Sequence, residues 1–348
     1  SLLSPLPDMA LRLASPQMSV LADQARTAPY DVVQVEGIEM APYGLRIVKG
    51  RPAGTRPTLV FDDHNCEYLL QKRSALSDLR IPRRWIGAAY SLTQWQKLRR
   101  YERQAGNTAA LTVAVSEPDA QALKRIGIRS RILVVPNGID ASAYETICHT
   151  APRPGTILFL GKMDYRPNID AALWFAHEVL PMIESGAPGT RFVIAGQNPH
   201  PRLDVLRSRS SIEITGFVPE IEPYLSAASV LVIPMRVGGG TRFKALEAMA
   251  ACRPIVSTSL GVEGIDVAHG RELLIADTPT AFADTVLHLF DDQRRGGIET
   301  QRLTRNARRF VIERYDWDIV TPVLEQAYAD LEAGMLRTRE PNRGLSPD

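Results

Sequence analysis

From residue 156 onward the chain repeats one unit: a short apolar run rich in β-branched residues, a Gly or Pro turn, then an amphipathic helical stretch. The runs are TILFL (156–160), RFVIAG (191–196), IEITGFV (212–218), VLVIPM (230–235), PIVSTS (254–259) and ELLIA (272–276). They are close to continuously apolar, whereas a strand with one wet face alternates polar and apolar residues. Such strands, joined by helical crossovers, predict a parallel sheet covered on both faces, the doubly wound α/β arrangement. The earlier part has the same rhythm with fewer strands, DVVQVE (31–36), TLVFDD (58–63), ALTVAVS (110–116) and ILVVPN (132–137), and predicts a second, incomplete sheet of the same class.

Two sheets suit the length, since 348 residues exceed what one compact core usually supports. TICHTAPRPG (146–155) has the prolines and glycine of a linker. The expected division is a first domain over 1–148 and a second over 149–315. A helix at 316–336 is expected to pack back on the first domain, and 337–348 reads as a disordered tail. A net charge of +2 gives no global reason to expect a nucleic-acid partner. Cys66, Cys148 and Cys252 are far apart and have no metal-ligand spacing, which predicts free thiols, no metal site and a reducing compartment. The start, SLLSPLPDMALRLASP, has no basic segment followed by an apolar one. With no apolar run near the roughly 18 residues of a membrane span, the expected location is cytoplasmic.

The stretch VGGGTRFKALEAMA (237–250) follows the strand VLVIPM and opens a helix. Ligands of parallel sheets bind beyond the carboxyl ends of the strands, which is where this turn falls. Gly238, Gly239 and Gly240 permit close approach to the main chain, and the amides of a helix start favour a phosphate. Arg242 and Lys244 add positive charge, and Glu247, about one turn further, can accept hydrogen bonds from sugar hydroxyls. The same residues also fit an ordinary glycine loop followed by a solvated Lys244–Glu247 pair. Phe243 interrupts the Gly-x-Gly-x-x-Gly spacing, and GTILFLGKM lacks the Walker spacing, so a plain dinucleotide or nucleoside triphosphate enzyme does not fit. A second glycine turn, FLGKMDYRPN (159–168), can bring Gly161 and Lys162 to the same phosphates, and GFVPEI (216–221) can present main-chain groups to a nucleobase.

Six blocks in this order resemble the family 4 glycosyltransferases: DDHNCEYLLQKR (62–73), VAVSEPDAQALK (113–124), VVPNGID (134–140), FLGKMDYRPNIDAALWF (159–175), ITGFVPEIEPYLSAASVLVIPM (214–235) and GTRFKALEAMAACRPIVSTSLGVEG (240–264). The resemblance runs from about residue 28 to 335. It implies the GT-B architecture of two Rossmann-like domains, and a retaining, metal-independent hexosyl transfer from a UDP-, GDP- or dTDP-sugar to an acceptor hydroxyl, with no cofactor. Polysaccharide or lipid-linked glycan synthesis is the setting it suggests, with a glycan or lipid-linked acceptor. By matching positions, Glu247 corresponds to the glutamate on the donor ribose. The helix start around Gly239, Gly240, Thr241, Arg242, Lys244, Ala245 and Leu246 holds the diphosphate, assisted by Gly161 and Lys162. Gly216, Phe217 and Val218 lie beside the base, and His64 faces the donor sugar and acceptor. Arg242, Lys244 and His64 are the expected catalytic residues.

Three departures qualify the resemblance. Gly239 stands where many relatives have a first glutamate, and Lys162 and Asn168 stand where they have an Arg and a Lys on the diphosphate. Nothing before YDVVQVE supplies the strand, glycine turn and helix with which relatives open, so the first domain is expected to lack that unit. Residues 71–104 carry nine basic and two acidic residues with Trp85 and Trp95. That composition suits peripheral contact with an anionic membrane, and it also suits a solvated helical hairpin. Two other readings remain open: a nucleotide-sugar epimerase of the same architecture, and a non-catalytic nucleotide-sugar-binding fragment.

Overall fold

The computed structural model describes residues 4–51, 57–79, 85–238 and 242–334. The chain divides into two units, residues 1–136 with 321–348, and residues 137–320.

In the first unit α1 (Asp8–Arg12) and α2 (Pro16–Ala25) precede β1 (Val32–Glu36) and α3 (Gly37–Val48). Then come β2 (Thr58–Asp63), α4 (Glu67–Leu79), α5 (Trp85–Thr108), β3 (Leu111–Ala114), α6 (Glu117–Arg125) and β4 (Arg131–Val134). The strands pair in parallel in sequence order, β1-β2-β3-β4. Right-handed crossovers that all step in one direction place their helices on one face. Successive strand residues point to opposite faces, and β2 shows the consequence. Leu59 and Phe61 pack in one cluster with Ile38, Leu98 and Leu123 of the crossover helices. Val60 joins Leu111 and Val113 in a separate cluster on the other face. Local signals set the helix ends: Ser116 Oγ accepts the Asp119 amide at the start of α6, with acidic residues in its first turn and Lys124 and Arg125 in its last.

The second unit contains α7 (Glu145–Cys148), β5 (Thr156–Leu160), α8 (Arg166–Trp174), α9 (Leu180–Gly186), β6 (Arg191–Ala195), β7 (Ile212–Gly216) and α10 (Glu222–Ala227). It continues with β8 (Val230–Ile233), α11 (Phe243–Ala250), β9 (Ile255–Ser257), β10 (Leu274–Ile275), α12 (Pro279–Arg294) and α13 (Ile298–Tyr315). The parallel sheet has the order β10-β9-β8-β5-β6-β7. The chain therefore builds outward from β5 in one direction, then returns to lay β8 on its other side. Strand order reverses between β5 and β8, so a crevice opens at their carboxyl ends. All residues of β5 and β8 are buried, as their apolar composition requires. The last helix, α14 (Trp317–Glu332), starts in the second unit and continues into the first. There Ala327, Leu324, Tyr328 and Leu331 cover the sheet face formed by Val60, Leu111 and Val113.

Two expectations are corrected. The stretch 146–155 is not a free tether between units, because the division falls after residue 136 and residues 137–155 are fastened within the second unit. Ile139 bridges Asp316, and Arg253 Nη2 donates to the carbonyls of Ile147 and Thr150 at 2.6 and 2.8 Å. Nor are all three cysteines free: Cys148 and Cys252 form a disulfide across 104 residues of sequence, which leaves Cys66 as the unbonded thiol. Folding of α7 beside the end of α11 brings together two residues whose spacing carried no pairing signal. The polar tail expected at 337–348 lies outside the described residues. No described helix is long and apolar enough to cross a membrane.

Candidate functional site

The crevice between β5 and β8 is lined by two turns. The first leaves β5 through Gly161, whose φ of 155° lies in the region glycine favours. A side chain here would also lack room, since a Cβ would lie 2.6 Å from Asn168 Nδ2 and 3.0 Å from Lys244 Nζ. Asn168, buried in the first turn of α8, ties the two sides of the crevice together. Its Nδ2 donates to the Lys162 carbonyl and its Oδ1 accepts from Lys244 Nζ, both at 2.9 Å. Lys244 enters from the opposite wall, in the first turn of α11, and its ammonium lies 4.5 Å from the Phe159 ring centroid. Burial, reinforced by the nearby Arg242 charge and opposed by Glu247, pushes the Lys244 pKa down to about 7. Burial raises the Glu247 carboxyl, opposed by Lys244 and supported by Glu222. Among the described residues, no side chain hydrogen-bonds Glu247. A cation beside a bare glycine turn, with a hydrogen-bond acceptor one turn deeper, can hold an anion and a hydroxyl-bearing group in sequence.

The structure separates the expected residues into groups. Gly161, Asn168, Lys244 and Glu247 come together at the crevice. Lys162 is exposed and pairs with Asp164 at 3.6 Å. The residues of the helix start differ in their surroundings. Arg242 is 4% exposed, and its Nη2 donates to the Leu260 carbonyl at 3.2 Å, in the turn after β9. The amides of Ala245 and Leu246 are bonded to the Arg242 carbonyl at 2.8 and 3.4 Å, and the two side chains are fully buried. Helical bonding has thus already taken two of the donors expected for a phosphate. Gly239, Gly240 and Thr241 lie outside the described residues. Gly216, with φ 74° and open space where a Cβ would stand, ends β7; Phe217 beyond it is 72% exposed, and Val218 is half-buried.

His64 belongs to the first unit. It follows β2 directly and is exposed, with its ring beside the left-handed turn from β1 into α3, where a Cβ on Gly37 would lie 2.8 Å from His64 Cε1. Beside it, burial raises the Asp62 carboxyl to about 6, with the His64 charge opposing that shift. The sequence singled out Asn168 as a departure from its family but gave no sign that it receives Lys244. The Arg242 contact at Leu260 went unseen, because the turn SLGVEG carries no chemical signal of its own. A separate cavity of about 790 Å³, lined in part by Ser229, Arg253, Pro254 and Gln293, lies at the amino ends of the strands and touches none of the expected residues.

Two family models match successive parts of the chain: "Glycosyltransferase Family 4" over residues 3–143 and "Glycosyl transferases group 1" over residues 154–292. Among curated proteins, the chain is 28% identical over 216 residues to glycogen synthase of Mycobacterium tuberculosis, covering 59% of this chain and 50% of that one. It is 27% identical over 168 residues to an uncharacterized 44.6 kDa protein in the cps region of Klebsiella pneumoniae, covering 46% of this chain and 42% of that one. The matched stretches thus span about half the length of these curated relatives. Sucrose-phosphate synthase from Thermosynechococcus elongatus superposes with a TM-score of 0.66 at 16% identity, over 91% of this chain and 78% of that one. Anabaena Alr3699/HepE, solved with UDP and glucose, does so with a TM-score of 0.63 at 16% identity, over 92% and 82%. At that identity the likeness establishes the architecture alone: two parallel-sheet α/β units of the GT-B type.

Proposed function

Because this chain belongs to the group 1 and family 4 glycosyltransferases, we propose that it moves a sugar from a nucleotide diphosphate-sugar to an acceptor hydroxyl. One observation carries the reading: Lys244 meets the Gly161 turn and Asn168 where strand order reverses, with Glu247 one turn deeper. In this reading Lys244 and the Gly161 turn hold the diphosphate, Glu247 accepts hydrogen bonds from the ribose, and Gly216 to Val218 border the base. Arg242 acts indirectly, by bracing the turn after β9. Lys244 takes the place of the cation that relatives supply from the Asn168 position. That the HepE structures hold UDP and UDP-glucose favours a uridine donor.

As the bond to the donor phosphate breaks, negative charge grows on the departing oxygens, and a fixed ammonium aimed there lowers the barrier. The acceptor hydroxyl attacks from the same face and passes its proton to the departing phosphate oxygen, so configuration is retained. His64 positions the acceptor side and need not act as a base. The acceptor we favour is a glycan, or a lipid-linked glycan reached through the basic α4–α5 segment at an anionic membrane surface.

Calorimetric titration of the full chain with UDP-, GDP- and dTDP-sugars tests the reading. One donor should bind with micromolar affinity, and absence of binding by all three would refute the site. For His64→Ala, turnover is expected to fall far more than donor affinity, while equal losses would contradict the role given to His64.

A further inference from the structure

Asp63 is the last residue of β2 and, by alternation, points to the same side as Leu59 and Phe61, under α5. Cys66 lies in the turn that leads into α4, and Glu102 is in the second half of α5. These three side chains are 1, 2 and 0% exposed. One ligand atom from each lies within 4.8 Å of the others. Glu102 Oε1 accepts the Tyr68 amide at 3.0 Å and so helps cap α4, but its Oε2 has no hydrogen-bond partner, and neither has either oxygen of Asp63. Three buried carboxylate oxygens thus have no hydrogen bond donated to them. Buried carboxylates persist only when a proton, a cationic side chain or a metal ion compensates them.

Among the described residues, no basic side chain is hydrogen-bonded to Asp63 or Glu102. The charged groups that act on Asp63 are Glu102, Glu67, Asp119 and Asp62, all acidic, and those that act on Cys66 are Glu102, Asp63 and Asp119. A single proton shared between the two carboxyls bridges one pair of oxygens and leaves the other Asp63 oxygen unanswered. A cation can engage one oxygen from each carboxylate together with the sulfur.

We propose that Asp63, Cys66 and Glu102 form a buried site for a thiolate-binding divalent cation, zinc in particular, which pins the end of β2 and the start of α4 to α5. The sulfur selects the class of ion, because hard cations such as magnesium and calcium take oxygen ligands, whereas zinc accepts a thiolate with carboxylates. Binding would displace the thiol proton to solvent. The role is structural: the cation holds the turn that presents His64, the residue next to Asp63. The site depends only on the first unit, so it stands or falls separately from the donor reading.

The test uses the full chain, purified without chelator or reductant so that Cys148 and Cys252 stay bonded and do not compete. Mass spectrometry of the metal content should find about one zinc per chain, removable by a chelator and restored by added zinc. Refilling with cobalt(II) should produce a thiolate-to-cobalt charge-transfer absorption. That band should vanish in Cys66→Ser, and metal uptake should be lost in Asp63→Asn and Glu102→Gln. A chain that is metal-free as isolated, takes up no zinc in excess and shows no shift in its melting temperature overturns the site, and the two carboxyls then share a proton. A cobalt band that survives Cys66→Ser overturns it equally. Should Asp63→Asn fail to fold, Cys66→Ser still decides, since it changes little in volume.

Discussion

At the scale of the residue, Lys244 makes the sharpest predictions. Its pKa, pushed down to about 7 chiefly by burial, places its loss of charge close to neutral pH. A diphosphate favours the charged form, so donor binding above pH 7 must take up a proton. Affinity is therefore expected to fall as pH rises from 7 to 9, by up to about tenfold per unit. Calorimetry in buffers of different ionisation enthalpy reads the proton directly. Lys244→Met should flatten that dependence and weaken binding about 10- to 100-fold, the worth of a charge-assisted hydrogen bond. A wild-type affinity that does not change between pH 7 and 9 would remove Lys244 from the diphosphate.

At the scale of the element, the α4–α5 hairpin carries the membrane proposal. Leu76, Leu79, Trp85, Ile86 and Tyr90 are exposed near its tip, and Ile86 is 91% exposed. The basic run RIPRR that joins the two helices lies outside the described residues. Exposed apolar side chains in a segment of basic sequence suit insertion among anionic headgroups. Sedimentation with vesicles should bring down the chain when they contain anionic lipid and leave it in solution when they are neutral. Ile86→Asp, at a site too exposed to matter for folding, should reduce the bound fraction about tenfold, from the lost burial of one aliphatic side chain. Equal sedimentation with both vesicle types would rule out the charge-dependent contact.

At the scale of the whole molecule, the first unit is completed by the far end of the chain. Four strands laid down in sequence order leave one sheet face without crossover helices, and α14 covers it through Ala327 and its neighbours. Arg131 pairs with Asp330 at 3.2 Å, and Tyr328 donates a hydrogen bond to Gln34, fixing the helix on β4 and β1. Ala327→Asp would bury an uncompensated charge on that face and should destabilise the first unit by about 3 kcal/mol or more. Hydrogen exchange should then quicken in β2 and β3 while β5 and β6 keep their protection. Unchanged exchange in β2 would mean that α14 contributes little to that sheet.

Much of this was legible in the chain itself. Every strand expected in both halves is present, because continuous apolar runs and Gly or Pro turns express local backbone preference and burial, both of which are written within a few residues. The glycine turn at Gly161 and the helix that begins before Lys244 were legible for the same reason. Tertiary structure alone decided which distant groups meet: Cys148 with Cys252, Lys244 with Asn168, Arg242 with Leu260, and Asp63 with Cys66 and Glu102. Periodicity says which face of an element is buried but not what lies against it. That partner is chosen by close packing among elements that are remote in sequence.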